Sequence, residues 1–184
     1  MCLTVNERYN IRVAVRMRGL INETYSLSRT RTQRGYLALL LALVAAIALG
    51  FQFHKDDWYR KGAHFLQQNA KRSGVVTLDS GLQYLVLREG TGKTPKAGNW
   101  VTIHCRAHLI DGREFDNTYE REEVETIPVS RVVAGLTEAL QLMQEGSRWE
   151  LYIPPELGFG NWSVGSDIPA NSVLIYDLEL LSVE

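Results

Sequence analysis

Cysteine is scarce in this chain of 184 residues: Cys2 and Cys105 are the only two. If the apolar run between them crosses a bilayer, they lie on opposite sides of it. No intrachain disulfide then forms, and neither cysteine falls in a metal-type spacing. The fold must be held by its core alone. Net charge is also small, −1 at pH 7 with a pI near 6.4. That argues against a nucleic-acid binder, because counterion release needs a clustered basic surface. No Gly-x-Ser-x-Gly elbow, phosphate loop or dinucleotide fingerprint is present. His104 and His108 share the outer face of a strand about 13 Å apart at a rise of ~3.3 Å per residue, too far for one metal ion. His54 and His64 fall in a separate helical segment. No cofactor and no metal are expected.

What is present begins with an asymmetry. Residues 1–34 hold seven arginines, no lysine, and only Glu7 and Glu23 as acids. Tyr36 to Phe51 then carries no charge. As a helix at 1.5 Å per residue it reaches about 24 Å, a little short of a ~30 Å hydrocarbon core unless its flanks help. Arginines before the run and Lys55-Asp56-Asp57 after it satisfy the positive-inside rule, so the N-terminus is expected in the cytoplasm and the remainder exported. Ala48-Leu49-Gly50 offers a small-x-small cleavage site, but a 34-residue leader is long for a signal peptide. A retained single-pass anchor is the expectation; a start at Met17 would favour cleavage. The segmentation is an Arg-rich segment over 1–34, a transmembrane or signal-anchor helix over 35–53, a stalk helix over 54–74, and a folded domain over 75–184. In the stalk, acids lead, Lys71-Arg72 close, Gly74 is the stop, and Trp58, Phe65, Leu66 and Ala70 form a modest apolar stripe.

From Val75 strand signals dominate. Leu82 to Leu87 reads as a strand, and Gly90, Gly92, Pro95 and Gly98 mark a loop. Val101, Ile103, Cys105, Ala107 and Leu109 alternate with Thr102, His104, Arg106 and His108, which puts Cys105 inward. Asp111-Gly112 is a hairpin turn, Arg113 to Asp116 returns, and Val124 to Val129 is another strand. Leu136, Ala139, Leu140 and Met143 recur at helical spacing and predict a short helix that runs to a C-cap at Gly146. In Ser147 to Ile153 the period becomes two, with Trp149, Leu151 and Ile153 on one face. Val173 to Leu181 closes the sheet, with Leu174, Tyr176, Leu178 and Leu180 on a shared face. The fold class is α+β: an antiparallel curved sheet wrapped on one short helix.

Five stretches carry a resemblance: VVAGLTEALQLMQEGSRWELYIPPELGFG (Val132 to Gly160), NAKRSGVVTLDSGLQY (Asn69 to Tyr84), EGTGKTPKAGNWVTIH from Glu89, LIDGREFDNTY (Leu109 to Tyr119) and IPANSVLIYDLELL (Ile168 to Leu181). In order and spacing they resemble the FKBP-type peptidyl-prolyl cis-trans isomerases, in particular the bacterial branch that includes the macrophage infectivity potentiator proteins. The resemblance implies an FKBP-like fold, rotation of X-Pro bonds, and clients that are proline-containing unfolded or partly folded polypeptides. For an exported chain this means the bacterial inner membrane with the domain in the periplasm, or a soluble periplasmic protein if the signal is cut. Potentiator relatives carry a longer helical dimerisation region. The short stalk here leads to the expectation of a monomer.

Such an enzyme needs no nucleophile, metal or general base. An X-Pro bond crosses unaided in tens of seconds because amide resonance holds it planar. An apolar pocket with one or two directed donors favours the twisted state over the planar one. The resemblance places Phe115 and Asp116 at the pocket wall and the Val133 backbone N–H as a donor to the substrate carbonyl. Val132, Ile168 and Tyr176 line the cavity, with Phe159 in the loop above. On the residues alone, Phe115 also fits a plain core position, and Asp116 a turn-capping carboxylate. Several positions depart from the family pattern. Cys105 stands where a tyrosine is usual, Leu136 where a tryptophan forms the floor, and Phe159 where a second tyrosine donates. Glu125 and Ile127 replace aromatics on the strand before the helix. These substitutions predict a weakened isomerase. The alternative is an isomerase-fold module that binds extended polypeptides as a chaperone without useful catalysis. Trp100 and Trp162 are expected to be exposed, where they could form a client-binding patch.

Overall fold

The computed structural model describes the backbone of residues 31–184 and the side chains of residues 40–47 and 57–184. The Arg-rich segment expected over 1–34 lies almost wholly outside the described residues. Helix α1 covers Arg31–Asn69, the residues over which the anchor and most of the stalk were expected. It stops short of Lys71, Arg72 and Gly74, which lie in turns beyond it. Among the described residues no helix is long and apolar enough to cross a membrane. The chain divides into two units between Phe53 and His54, inside α1.

The unit from His54 onward is built on one seven-stranded sheet in the order β1-β2-β6-β7-β3-β4, with β5 also on β3. The strands are β1 (Val75–Thr77), β2 (Gln83–Arg88), β3 (Trp100–Leu109), β4 (Glu114–Asn117), β5 (Glu125–Pro128), β6 (Arg148–Ile153) and β7 (Leu174–Val183). Every pairing is antiparallel. The central strand β3 alternates as its sequence predicts, with Val101, Ile103, Cys105, Ala107 and Leu109 all buried. One edge of β3 is shared: β5 pairs with its first half and β4 with its second.

Helix α2 (Ala134–Leu140) lies on the inner face, where Leu136, Ala139 and Leu140 join β3, β6 and β7 in the main core. It ends six residues before Gly146, the predicted cap. A turn intervenes, and the Gly146 N–H instead donates to the Leu180 carbonyl at 2.8 Å, opening the β6–β7 ladder. Met143 is still fully buried from within that turn.

The opposite sheet face is also covered. Tyr152, Val173 and Ile175 form a second cluster against Phe65 and Leu66 of α1 and Val75. Asn69, where the stripe was expected to use Ala70, is buried and donates to Gln83 Oε1 at 2.9 Å. Arg72 donates to the Tyr152 hydroxyl at 2.6 Å, and that hydroxyl donates to Glu150 Oε2 at 2.7 Å. Burial, and then the Glu150 contact, push the Tyr152 phenol up to about 12 from its ordinary 10. The folded chain thus keeps the proton that the unfolded chain gives up. The stabilisation is complete below pH 10 and is lost as the pH climbs through 12. Tyr152→Phe is expected to flatten the fall in stability between pH 10 and 12, measured by urea titration of both proteins at each pH.

Candidate isomerase site

Strand alternation alone would send Phe115 and Asp116 to opposite faces of β4. The register prevents this. Asp116 lies opposite Ala107 and Glu114 opposite His108, so Phe115 is the extra residue of a β-bulge. Such a bulge bends the strand and re-aims a side chain. Both residues consequently reach the inner side. Phe115 meets Tyr176 of β7 edge-on, with ring centroids 5.8 Å apart and planes at 82°. Asp116 reaches Cys105 of β3, whose thiol donates to Oδ2 at 3.9 Å. Thr118 locks the end of β4 to the same residue: its hydroxyl accepts from the Cys105 N–H at 2.8 Å, and its own N–H donates to the Cys105 carbonyl at 2.9 Å.

The apolar candidates converge on one core. Cys105, Val133, Leu136, Ile168 and Tyr176 are buried within it, and Phe115, Ile127, Val132 and Phe159 pack against it, half-exposed. Val133 is the N-cap of α2. Its carbonyl accepts the Thr137 N–H at 3.0 Å, and its own N–H has no acceptor among the described residues. An N-terminal amide of this kind is one of the groups that a helix cannot satisfy internally.

An open cleft lies beside this cluster. It encloses about 420 Å³ and is lined by Glu114, Phe115, Asp116, Asn117, Glu120, Arg121 and Asp167. Of the predicted residues only Phe115 and Asp116 form its wall. Cys105, Leu136 and Ile168 retain 0%, 1% and 2% of their surface. They lie in the main core with α2, β3, β6 and β7. The far wall comes from the loop after Pro155–Leu157, the same loop that carries Phe159. Trp162 of that loop is exposed, as is Trp100.

Arg121 was missed at the sequence level. Its guanidinium donates from Nη1 to Asp116 Oδ1 at 2.6 Å and from Nη2 to Glu125 Oε1 at 2.9 Å. The hydrogen bond to Asp116, then the charges of both carboxylates, raise its pKa above the ordinary arginine value. The signal was an arginine five residues after Asp116 within an otherwise acidic turn. Among the described residues no group of His, Cys, Asp and Glu is arranged to hold a metal ion.

Residues 91–181 match the family model described as FKBP-type peptidyl-prolyl cis-trans isomerase. The crystal structure of FkpA from Escherichia coli superposes with a TM-score of 0.76 at 31% identity, covering 93% of this chain and 82% of that one. The chain belongs to the FKBP-type peptidyl-prolyl cis-trans isomerase family. Residues 43–86 also match the model of the domain amino-terminal to FKBP-type isomerases, which takes in the later part of α1 with β1 and most of β2. The FKBP-type chain is 45% identical over 125 residues to the FKBP-type isomerase FkpA of Aeromonas hydrophila. It is 41% identical over 142 residues to the outer membrane protein MIP of Legionella longbeachae. These alignments take in 68% and 77% of the chain but 46% and 61% of the two relatives. The chain therefore spans about half to three fifths of their length.

Proposed function

We propose that this FKBP-type chain catalyses cis-trans isomerisation of X-Pro bonds in exported polypeptides, at a rate lowered by its substituted pocket. The observation that carries the reading is the β4 bulge, which sets Phe115 and Asp116 together at the cleft, with Phe115 against Tyr176. The rings of Phe115 and Phe159 would strip water from the prolyl ring, with Val132 and Ile127 beside them. The Val133 N–H would donate to the substrate carbonyl. Cys105, Leu136, Ile168 and Tyr176 would support that wall from beneath. Rotation faces a barrier of ~18–20 kcal/mol, so a thousandfold acceleration asks the site for about 4 kcal/mol of preference for the twisted amide. A tryptophan face of ~60 to 100 Å² at ~25 cal/mol per Å² would supply about 1.5 to 2.5 kcal/mol of proline contact that Leu136 does not. That difference lowers the rate at least about tenfold.

A second reading, a binding module without useful catalysis, draws on the near-complete burial of Cys105 and Leu136. The two separate by exchange NMR on a Leu-Pro peptide with the full chain in mild detergent. Faster cis-trans exchange supports the enzyme; line broadening by binding without faster exchange supports the module.

For localisation, the ground for an inner-membrane anchor with the domain in the periplasm is the sequence: the uncharged Tyr36–Phe51 run with seven arginines ahead of it, which needs its flanks to span the bilayer. The chain is expected to stay with membranes at alkaline pH with its N-terminus uncut. Release into the soluble periplasm with a shortened mass would overturn the anchor. A monomer is the expected state of the exported domain, checked by sedimentation.

A further inference from the structure

We propose that Glu125 is a positioning residue for the isomerase site, holding Arg121 in the orientation that fixes the Asp116 carboxylate; this rests on the isomerase reading. Asp116 belongs to β4 and Glu125 opens β5, and the two strands share one edge of β3, Asp116 opposite Ala107 and Glu125 opposite Ile103. Between them runs the 118–124 connection, with Glu122 at a φ of +54°. Arg121 projects from that connection and grips both strands at once, Nη1 on Asp116 at 2.6 Å and Nη2 on Glu125 at 2.9 Å. The two carboxylates keep 7% and 16% of their side-chain surface and the guanidinium 37%. Arginine's planar fork cannot be neutralised and holds two acceptors in fixed relation.

The position matters because of what stands on the other side of Asp116. Cys105 offers a sulfur donor at 3.9 Å, and a thiol donates weakly. The charged grip of Arg121, at 2.6 Å, constrains the carboxylate more strongly than that thiol does. A half-exposed arginine held by one prong can swing into water at little cost, whereas held by two it loses both contacts to leave. A carboxylate at the start of β5 is also a residue the apolar-pocket expectation did not call for, since an aromatic is usual there.

The test uses the full chain in mild detergent, with isomerisation of a Leu-Pro peptide as readout. Glu125→Leu is expected to lower kcat/KM about five- to tenfold, the scale of a small misplacement at a reacting site. Glu125→Gln keeps an acceptor oxygen and should stay within about twofold of the natural chain. The Glu125→Leu, Arg121→Leu double variant should be no slower than Arg121→Leu alone if the effect of Glu125 on the site passes through Arg121. Should Glu125→Leu not fold, Glu125→Ser, too short to reach Arg121, is expected to show the same loss. Full activity in Glu125→Leu or Glu125→Ser, or losses that add in the double variant, would overturn the assignment while leaving the isomerase reading intact. A folded natural chain without any isomerase activity would overturn both.

Discussion

Asp116→Ala is expected to cut kcat/KM for a Leu-Pro peptide by about tenfold or more while leaving a cooperatively folded protein. The carboxylate lines the cleft beside Phe115 and keeps only 7% of its side-chain surface. Its field therefore acts in surroundings where a fixed charge matters more than in water. The cost to stability is contained, because Arg121 retains Glu125 as a partner and no cation is left stranded. The same substitution separates the two roles open to Asp116. A carboxylate that merely caps a turn would lose stability and leave kcat/KM unchanged. Kinetics paired with thermal unfolding of the same preparation reads both.

The largest effect on stability is expected from Gly90→Ala. A Cβ at Gly90 would lie 2.5 Å from the carbonyl oxygens of Gln144 and Glu145 and 2.7 Å from the Ser147 nitrogen. All three are backbone atoms, so no side chain can rotate aside. The contact is close because two loops are stitched there. The N–H groups of Thr91 and Gly92 donate to the Glu145 carbonyl at 3.2 and 3.0 Å, and the Glu145 N–H donates to the Lys93 carbonyl at 2.9 Å. Relieving the clash means breaking that stitch of three backbone hydrogen bonds between the two loops. A loss of about 2 to 4 kcal/mol follows, and with it a fall of roughly 10 °C in Tm. A variant melting with the natural chain would show that the loops can part without cost.

The strands were legible wherever a single face is buried. Val101 to Leu109 alternates cleanly, and the structure buries the residues that the alternation selects. Tyr152 and Ile175 were harder to place. They sit one residue out of phase with the inner face, and their burial depends on Phe65 and Leu66 of a helix remote in sequence. The helix boundaries moved for local reasons: α2 closes into a turn after Leu140 although Met143 continues the apolar spacing. The apolar candidates do gather in one core: Cys105, Leu136 and Tyr176 lie at inward phases of their elements, whereas Val132, Phe159 and Ile168 are brought there by loops. The bulge that turns Phe115 and Asp116 to one side was not legible, since it exists only in the register of β4 against β3. Nor was the Asp116–Arg121–Glu125 chain, which joins two strands across a loop. The acidic character of the cleft was hidden for the same reason: Asp167 comes from a loop far along the chain from Glu114 and Glu120.

This substituted pocket is expected still to turn over proline bonds. The most direct measurement is isomerisation of Leu-Pro and Phe-Pro peptides by the natural full chain, beside a triple variant Cys105→Tyr, Leu136→Trp, Phe159→Tyr whose folding is checked by circular dichroism. Clear acceleration by the natural chain, with the variant at least about tenfold faster, is the predicted result. No acceleration by the folded natural chain, with activity appearing only in the variant, would contradict it and leave a fold kept for binding.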